Sequence, residues 1–132
     1  MIDVQRTDFV AVPTRDRERA ATFYEETLGL RKNQTSDTWI EFETGNLTLS
    51  LVVPDEVGLE FAPLPFGTVV VRVPDVAAAK EKLEGAGVEF VGEPWDSGVC
   101  HGAAFRDPDG NGLALHHRYE PYLDGRDPDE QV

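Results

Sequence analysis

Three histidines, one cysteine and a surplus of carboxylates are the side chains of this 132-residue chain with chemistry to offer. His116 lies in the run Gly112-Leu113-Ala114-Leu115-His116-His117-Arg118. In an extended segment residues two apart share a face, so His116 points the way Ala114 does and His117 points the other way. On that face His116 can serve as a polar anchor or as a metal ligand, but no complete ligand set stands out beside it. His101, next to Cys100 and near Trp95, is a third candidate histidine. The commoner role of a lone histidine is structural. Cys100 and His101 are neighbours, which in an extended segment turns their side chains apart, and no spacing supplies an orienting acid for a nucleophilic triad. Glu41 and Glu43 alternate on one strand face beside Trp39, a pattern of solvated glutamates or of a pocket-facing general base.

Larger, softer groups point to binding rather than to bond-breaking. Trp39 and Trp95 offer broad stacking faces, while Phe42, Phe61, Phe66 and Phe90 either fill a core or border a groove. Thr48, Ser50 and His116 are placed to act as polar anchors. The chain carries 25 acidic against 12 basic side chains, a formal net charge of −13. Phosphate backbones are repelled by such a field, and Arg15, Arg17 and Arg19 are interleaved with Asp16 and Glu18, so no basic footprint for nucleic acid exists. The acidic surplus serves solubility or draws in a ligand with a positive group.

The elements that must position these residues follow from pattern and punctuation. A chain of this length buries roughly two-thirds of its unfolded surface and needs no staple. No run approaches the about 20 apolar residues of a membrane span. The opening Met1-Ile2-Asp3-Val4-Gln5-Arg6 lacks the basic and apolar regions of a signal peptide, and Cys100 has no partner for a disulfide, so a cytoplasmic location is expected. Thr7 to Pro13 reads as a strand. A helix follows, capped by Thr14 or Asp16, with Ala20, Phe23, Tyr24, Thr27 and Leu28 at helical spacing and Gly29 at its end. Short strands then run over 31–34, 38–43 and 47–53. Residues 54–66, with three prolines, read as a linker across the surface. Beyond it the order repeats: a strand over 67–73, a helix started by Asp75 and stopped by Gly85 and Gly87, then strands over 88–91, 102–106 and 112–118, with Trp95 and His101 in the loop between the second and third of these four strands. An acidic tail occupies 119–132. The expectation is one α+β domain of two βαβββ modules, about 7–53 and 67–118. Matching landmarks support the duplication: Val12-Pro13 before Asp16 and Val73-Pro74-Asp75, Leu28-Gly29-Leu30 and Ala86-Gly87-Val88, Gly45-Asn46-Leu47 and Gly110-Asn111-Gly112.

Two stretches, Phe23-Tyr24-Glu25-Glu26-Thr27-Leu28-Gly29-Leu30 and Phe105-Arg106-Asp107-Pro108-Asp109-Gly110-Asn111, resemble the signatures of the vicinal oxygen chelate superfamily, which includes glyoxalase I, extradiol dioxygenases and bleomycin resistance proteins. With the repeat, the resemblance covers residues 7 to 118. It implies that each module curls its mixed sheet into half of a cup, and that the chain pairs as a homodimer with a shared cup. Asp107-Pro108-Asp109-Gly110-Asn111 also has a local reason to exist, since Asp side chains bond nearby amides and Gly-Asn accept turn geometry. It therefore marks the fold rather than the chemistry.

The resemblance also locates where superfamily enzymes hold a divalent metal that chelates neighbouring substrate oxygens. Those positions fall on Phe9, Thr48, Thr68 and Ala114, none a good metal ligand, and a shift of one residue would put Asp8 at the first. The expected function is thus metal-independent binding of the bleomycin-resistance type: a small-molecule partner, an antibiotic or another bulky, partly aromatic compound, with or without a cationic group, is held by Trp39, Thr48, Ser50, Trp95, His101 and His116, with no cofactor. The alternative is a lyase, isomerase or dioxygenase of glyoxalase type, using His116 and Zn, Ni, Mn or Fe. A third reading is a regulatory or structural relic of the fold.

Overall fold

Strand, helix and three strands occur twice in the computed structural model, which describes residues 1–129. β1 (Phe9–Pro13) leads to helix α1 (Arg17–Thr22), which widens into a π-helical turn over Phe23–Thr27, and then to β2 (Arg31–Ser36), β3 (Trp39–Glu43) and β4 (Thr48–Val52). A short 3₁₀ turn (Pro54–Val57) opens the linker. β5 (Val69–Arg72), α2 (Val76–Gly85), β6 (Phe90–Asp96), β7 (Cys100–Arg106) and β8 (Gly112–Arg118) repeat the pattern. Each module forms an open four-stranded mixed sheet, in the order β1-β4-β3-β2 and β5-β8-β7-β6. The first strand runs parallel to the last in both sheets, and the other pairings are antiparallel. The architecture is α+β.

Local chemistry explains the helix starts. Asp16 and Asp75 are extended, and each carboxylate accepts a hydrogen bond from the amide three residues on, Arg19 at 3.1 Å and Ala78 at 3.0 Å. Such caps are worth about 1 kcal/mol each. Gly29 and Gly87 follow the helices with φ of 73° and 91°, the left-handed region where a side chain is penalised.

The chain divides by its contacts into two compact units: residues 1–64 with 107–111, and residues 65–106 with those from 112 on. In the first unit, Val12, Ile40, Phe42, Leu49 and Leu51 form the buried side of the sheet, covered by Ala20, Ala21, Phe23 and Tyr24. In the second, Val69, Ala103, Phe105, Leu113 and Leu115 lie under Val76 and Leu83 of α2. A buried side chain of the larger kinds contributes about 1.5–3 kcal/mol, so these helix-facing layers hold each unit together. The opposite face of each sheet carries no helix.

Two elements depart from the sequence reading. β6 runs on to Asp96, so Pro94 and Trp95 stand in a strand rather than a loop. Proline is tolerated there because β6 is an edge strand whose register with β7 slips between Val91 and Trp95. β7 begins at Cys100, which puts His101 on a strand as well. Residues 119–129 of the acidic tail continue the second unit, and residues 130–132 lie outside the described residues. No helix among the described residues is long and apolar enough to cross a membrane.

Candidate functional site

Alternation along each strand decides which side chains meet on the helix-free faces. In the first unit the paired positions Phe9 and Thr48, Ala11 and Ser50, with Glu41 beside Ser50 and Glu43 beside Thr48, all share that face. Phe9 stands edge-on to Trp39 with ring centres 5.8 Å apart. The Trp39 indole N–H donates to the Glu41 carboxylate. Glu43 accepts from Thr48 Oγ1 at 2.9 Å and from Asn33 Nδ2 at 2.9 Å. Both glutamates are thus held as acceptors, Glu41 by the indole and Glu43 by Thr48 and Asn33. Ser50 is wholly buried, and its Oγ has no hydrogen-bond partner among the described residues.

On the second sheet the register sets Val70 against Ala114, Arg72 against His116, His116 against Gly102, and Gly102 against Trp95. The Trp95 ring lies across Gly102, where an added Cβ would come within 2.0 Å of the ring carbons, so only glycine admits the indole at that spot. Trp95 and His116 therefore flank Gly102 on one face. Burial and then the nearby Arg72, His117 and Arg118 hold His116 below the usual imidazole range, which keeps it neutral near pH 7. Arg72 pairs with Asp129 of the tail.

His101 does not join this face. It pairs with His117 and Asp96 on the helix side of the sheet. There a cleft of about 790 Å³ opens between the start of α2 and the ends of β6, β7 and β8, lined among others by Lys80, Asp96, His101, His117 and Tyr119. The Tyr119 hydroxyl donates to Asp96 Oδ1 at 2.7 Å, and His101 Nε2 stands 3.4 Å from Asp96 Oδ2. Tyr119, with the Gly98 amide and His101, holds the Asp96 carboxyl below the ordinary range, and Asp96 in turn pushes the Tyr119 phenol up to about 12. His117 Nδ1 donates to the Val73 carbonyl at 3.0 Å, which fixes its tautomer. Asp96 and Tyr119 carry no sequence signal, because their partnership arises only from strand register.

The second signature is structural. Asp107 accepts from the amides of Asp109 and Asn111, both at 2.9 Å, and from the Tyr24 hydroxyl at 2.7 Å. Asp109 accepts from Thr14 Oγ1 at 2.6 Å and from the Arg15 amide at 2.9 Å. Asn111 accepts from the Leu64 amide and donates to the Pro13 carbonyl, each at 2.8 Å.

A divalent metal does not fit the open faces. Phe9, Thr48 and Ala114 occupy paired positions there with a ring, a neutral hydroxyl and a methyl group, and Thr68 sits just before β5. His116 is flanked by the cations Arg72 and Arg118, which oppose a dication. Among the described residues no three His, Cys, Asp or Glu side chains gather into a group able to hold a metal ion.

Comparison with known structures places the fold among its relatives. TnmS3, an antibiotic binding protein from Streptomyces sp. CB03234, is 26% identical, with 89% of this chain and 99% of that chain covered and a TM-score of 0.73. A glyoxalase/bleomycin resistance protein from the same source is 28% identical over 84% of this chain and 98% of that one, with a TM-score of 0.66. Lactoylglutathione lyase from Agrobacterium tumefaciens shares the fold at 19% identity, over 86% of this chain and 94% of that one, with a TM-score of 0.70. No curated protein matches the chain. Residues 6–115 match the family model, and the chain belongs to the glyoxalase/bleomycin resistance protein/dioxygenase superfamily.

Proposed function

We propose that this chain is a metal-independent small-molecule-binding protein that holds an antibiotic, or another bulky and partly aromatic compound, against the open faces of its sheets without transforming it. One observation carries the reading. Phe9, Val70, Val91 and Trp95 are 45%, 46%, 42% and 42% exposed, and all four stand on the helix-free faces. Leaving such side chains in water has a cost that a bound apolar surface removes. Around them stand a small number of fixed polar groups, Glu41, Glu43 and Thr48 on one sheet and Arg72 and His116 on the other. Apolar walls with a few convergent polar atoms are the make-up of small-molecule sites. On the first sheet, Glu41 and Glu43 beside Trp39 suit a ligand with a positive group. The similarity to an antibiotic binding protein supports the same reading.

The reading includes pairing of two chains, since a partner that shared the open faces would cover the same apolar side chains. Sedimentation of the purified protein tests this part, with a dimer expected. The binding itself is tested by titrating cationic and neutral aromatic antibiotics into the protein and following tryptophan fluorescence. Saturable quenching with the compound recovered unchanged is the expected result. Elemental analysis, with refilling by Zn²⁺, Ni²⁺, Mn²⁺ and Fe²⁺, supplies the opposing outcome. Near-stoichiometric metal uptake that His116→Ala abolishes would overturn the proposal in favour of glyoxalase-type chemistry.

A further inference from the structure

We propose that Arg72 and His116, paired between β5 and β8, form an anion-accepting subsite on the open face of the second sheet, held in the free chain by the chain's own Asp129. The inference rests on reading that face as the ligand surface and names the group the ligand presents there: an acid on an aromatic body.

Placement comes first. Arg72 and His116 share the face that carries Val70, Val91 and Trp95. One row thus crosses this face from edge to edge, Arg72, His116, Gly102 and the exposed Trp95, with Arg118 two positions beyond His116 on β8, in a chain with twice as many acids as bases. The overall negative charge does not set the local field at this spot, because charges within a few ångströms outweigh those a screening length away.

The tail supplies the second observation. The Tyr119 amide donates to the Val99 carbonyl at 2.9 Å, and the Arg118 guanidinium donates to the Pro121 carbonyl at 3.0 Å and lies 4.3 Å from the Tyr122 ring centre. The Tyr122 amide reaches the Arg126 carbonyl at 3.1 Å, and Arg126 closes on Asp124 at 2.8 Å. A turn so formed brings the tail back until Asp129 pairs with Arg72, 57 positions away in sequence. A carboxylate of the chain itself thus shows which group the guanidinium accepts. The planar fork of arginine suits a carboxylate, and a neutral imidazole beside it adds one donor without adding charge.

Exposure makes the tail contact replaceable. The Arg72 and Asp129 side chains are 39% and 75% exposed. A pair as open as this changes an equilibrium constant by a factor of only about two to five. A ligand that adds stacking on Trp95 to a carboxylate at Arg72 outcompetes it, and Asp129 then acts as an internal competitor that sets the threshold for acidic ligands.

Calorimetric titration of the full chain with naphthoate and with its neutral counterpart naphthamide tests the assignment. Naphthoate is expected to bind about tenfold more tightly, as a charge-assisted bond gives. Asp129→Asn should strengthen naphthoate binding about two- to fivefold and leave naphthamide unchanged. Arg72→Gln should remove the preference for naphthoate, and Arg72→Lys should retain part of it. Equal affinities for the two probes, or an Asp129→Asn variant indistinguishable from the parent, would overturn the subsite. If both probes bind alike and Trp95→Ala weakens both, the open face remains the ligand surface while the anion subsite falls. If neither binds, both readings fail for aromatic acids. Asp129 is a surface residue, so its variant stays informative even if Arg72→Gln fails to fold.

Discussion

The Tyr24 hydroxyl donates to Asp107 Oδ2 at 2.7 Å, joining the two signature stretches of the chain across 83 positions inside the first unit. Burial, and then the Asp107 carboxylate, push the Tyr24 phenol far above its usual range. Tyr24→Phe keeps the ring against Phe42 but removes the donor. Asp107 retains two backbone amides and Asn111 Nδ2, so the expected loss of stability is about 1–3 kcal/mol, read from urea unfolding. The sign of the pH effect follows from the raised value. Tyr24 contributes its stability fully below about pH 10, where the phenol of the unfolded chain titrates, and loses it as the pH rises further. The parent should therefore unfold in alkali more steeply than the phenylalanine variant.

That pair also shows what a sequence can and cannot disclose. The bonds from Asp107 to the amides two and four residues on are local, and Asp-Pro-Asp-Gly-Asn announces them. Its bond to Tyr24 depends on tertiary packing and has no spacing to read. The order of strands and helices was legible because alternation, capping aspartates and glycine stops act within a few residues. Pro94 reads as a strand breaker and ends the expected strand at Val91, whereas pairing with β7 carries β6 on to Asp96 along a tolerated edge. The same proline makes the sequence place Trp95 and His101 in a loop, where the structure has them on β6 and β7. Strand alternation sends His116 and His117 to opposite faces, as the register shows, whereas Asp96 and Tyr119 meet only because β7 pairs with β6 on one side and β8 on the other, which leaves no trace in the sequence.

Gly102 offers a direct test of how Trp95 is seated. The ring occupies the space a Cβ would take, so Gly102→Ala must displace the indole from the face. The expected cost is about 1–3 kcal/mol, as for overpacking. A shift in the Trp95 emission maximum should accompany it. An alanine variant with parental stability and emission would show that the indole is not held across Gly102.

Acid should weaken the fold through His116. Its pKa is lowered in the folded chain, so the unfolded chain binds the proton first as the pH falls below about 6.5. Stability contributed by the neutral imidazole is present above that pH and is lost progressively down to the folded value. The midpoint of His116 in an NMR titration should lie below that of an unstructured histidine, and Arg72→Gln should raise it by removing one of the cations that oppose protonation. A midpoint at or above the ordinary value would contradict the burial of His116 beside these arginines.

The two tryptophans allow the ligand to be placed on one sheet or the other. Trp39 belongs to the first unit, fixed by the Glu41 carboxylate and the edge of Phe9, and Trp95 belongs to the second, laid over Gly102. Trp39→Phe leaves Trp95 as the only indole, and Trp95→Phe leaves Trp39, so quenching in each variant reports one face. Replacement by alanine should weaken binding by about 1–3 kcal/mol at whichever indole stacks on the compound, the range seen for bases on aromatic side chains. Cationic compounds should act through Trp39, whose indole is bonded to the Glu41 carboxylate, and acidic ones through Trp95, which shares a row across its sheet with His116 and Arg72. An acidic aromatic compound that quenched Trp39 and ignored Trp95 would reverse the assignment of charge to the two faces, and a compound whose affinity survived both alanine variants would show that neither indole is a binding surface.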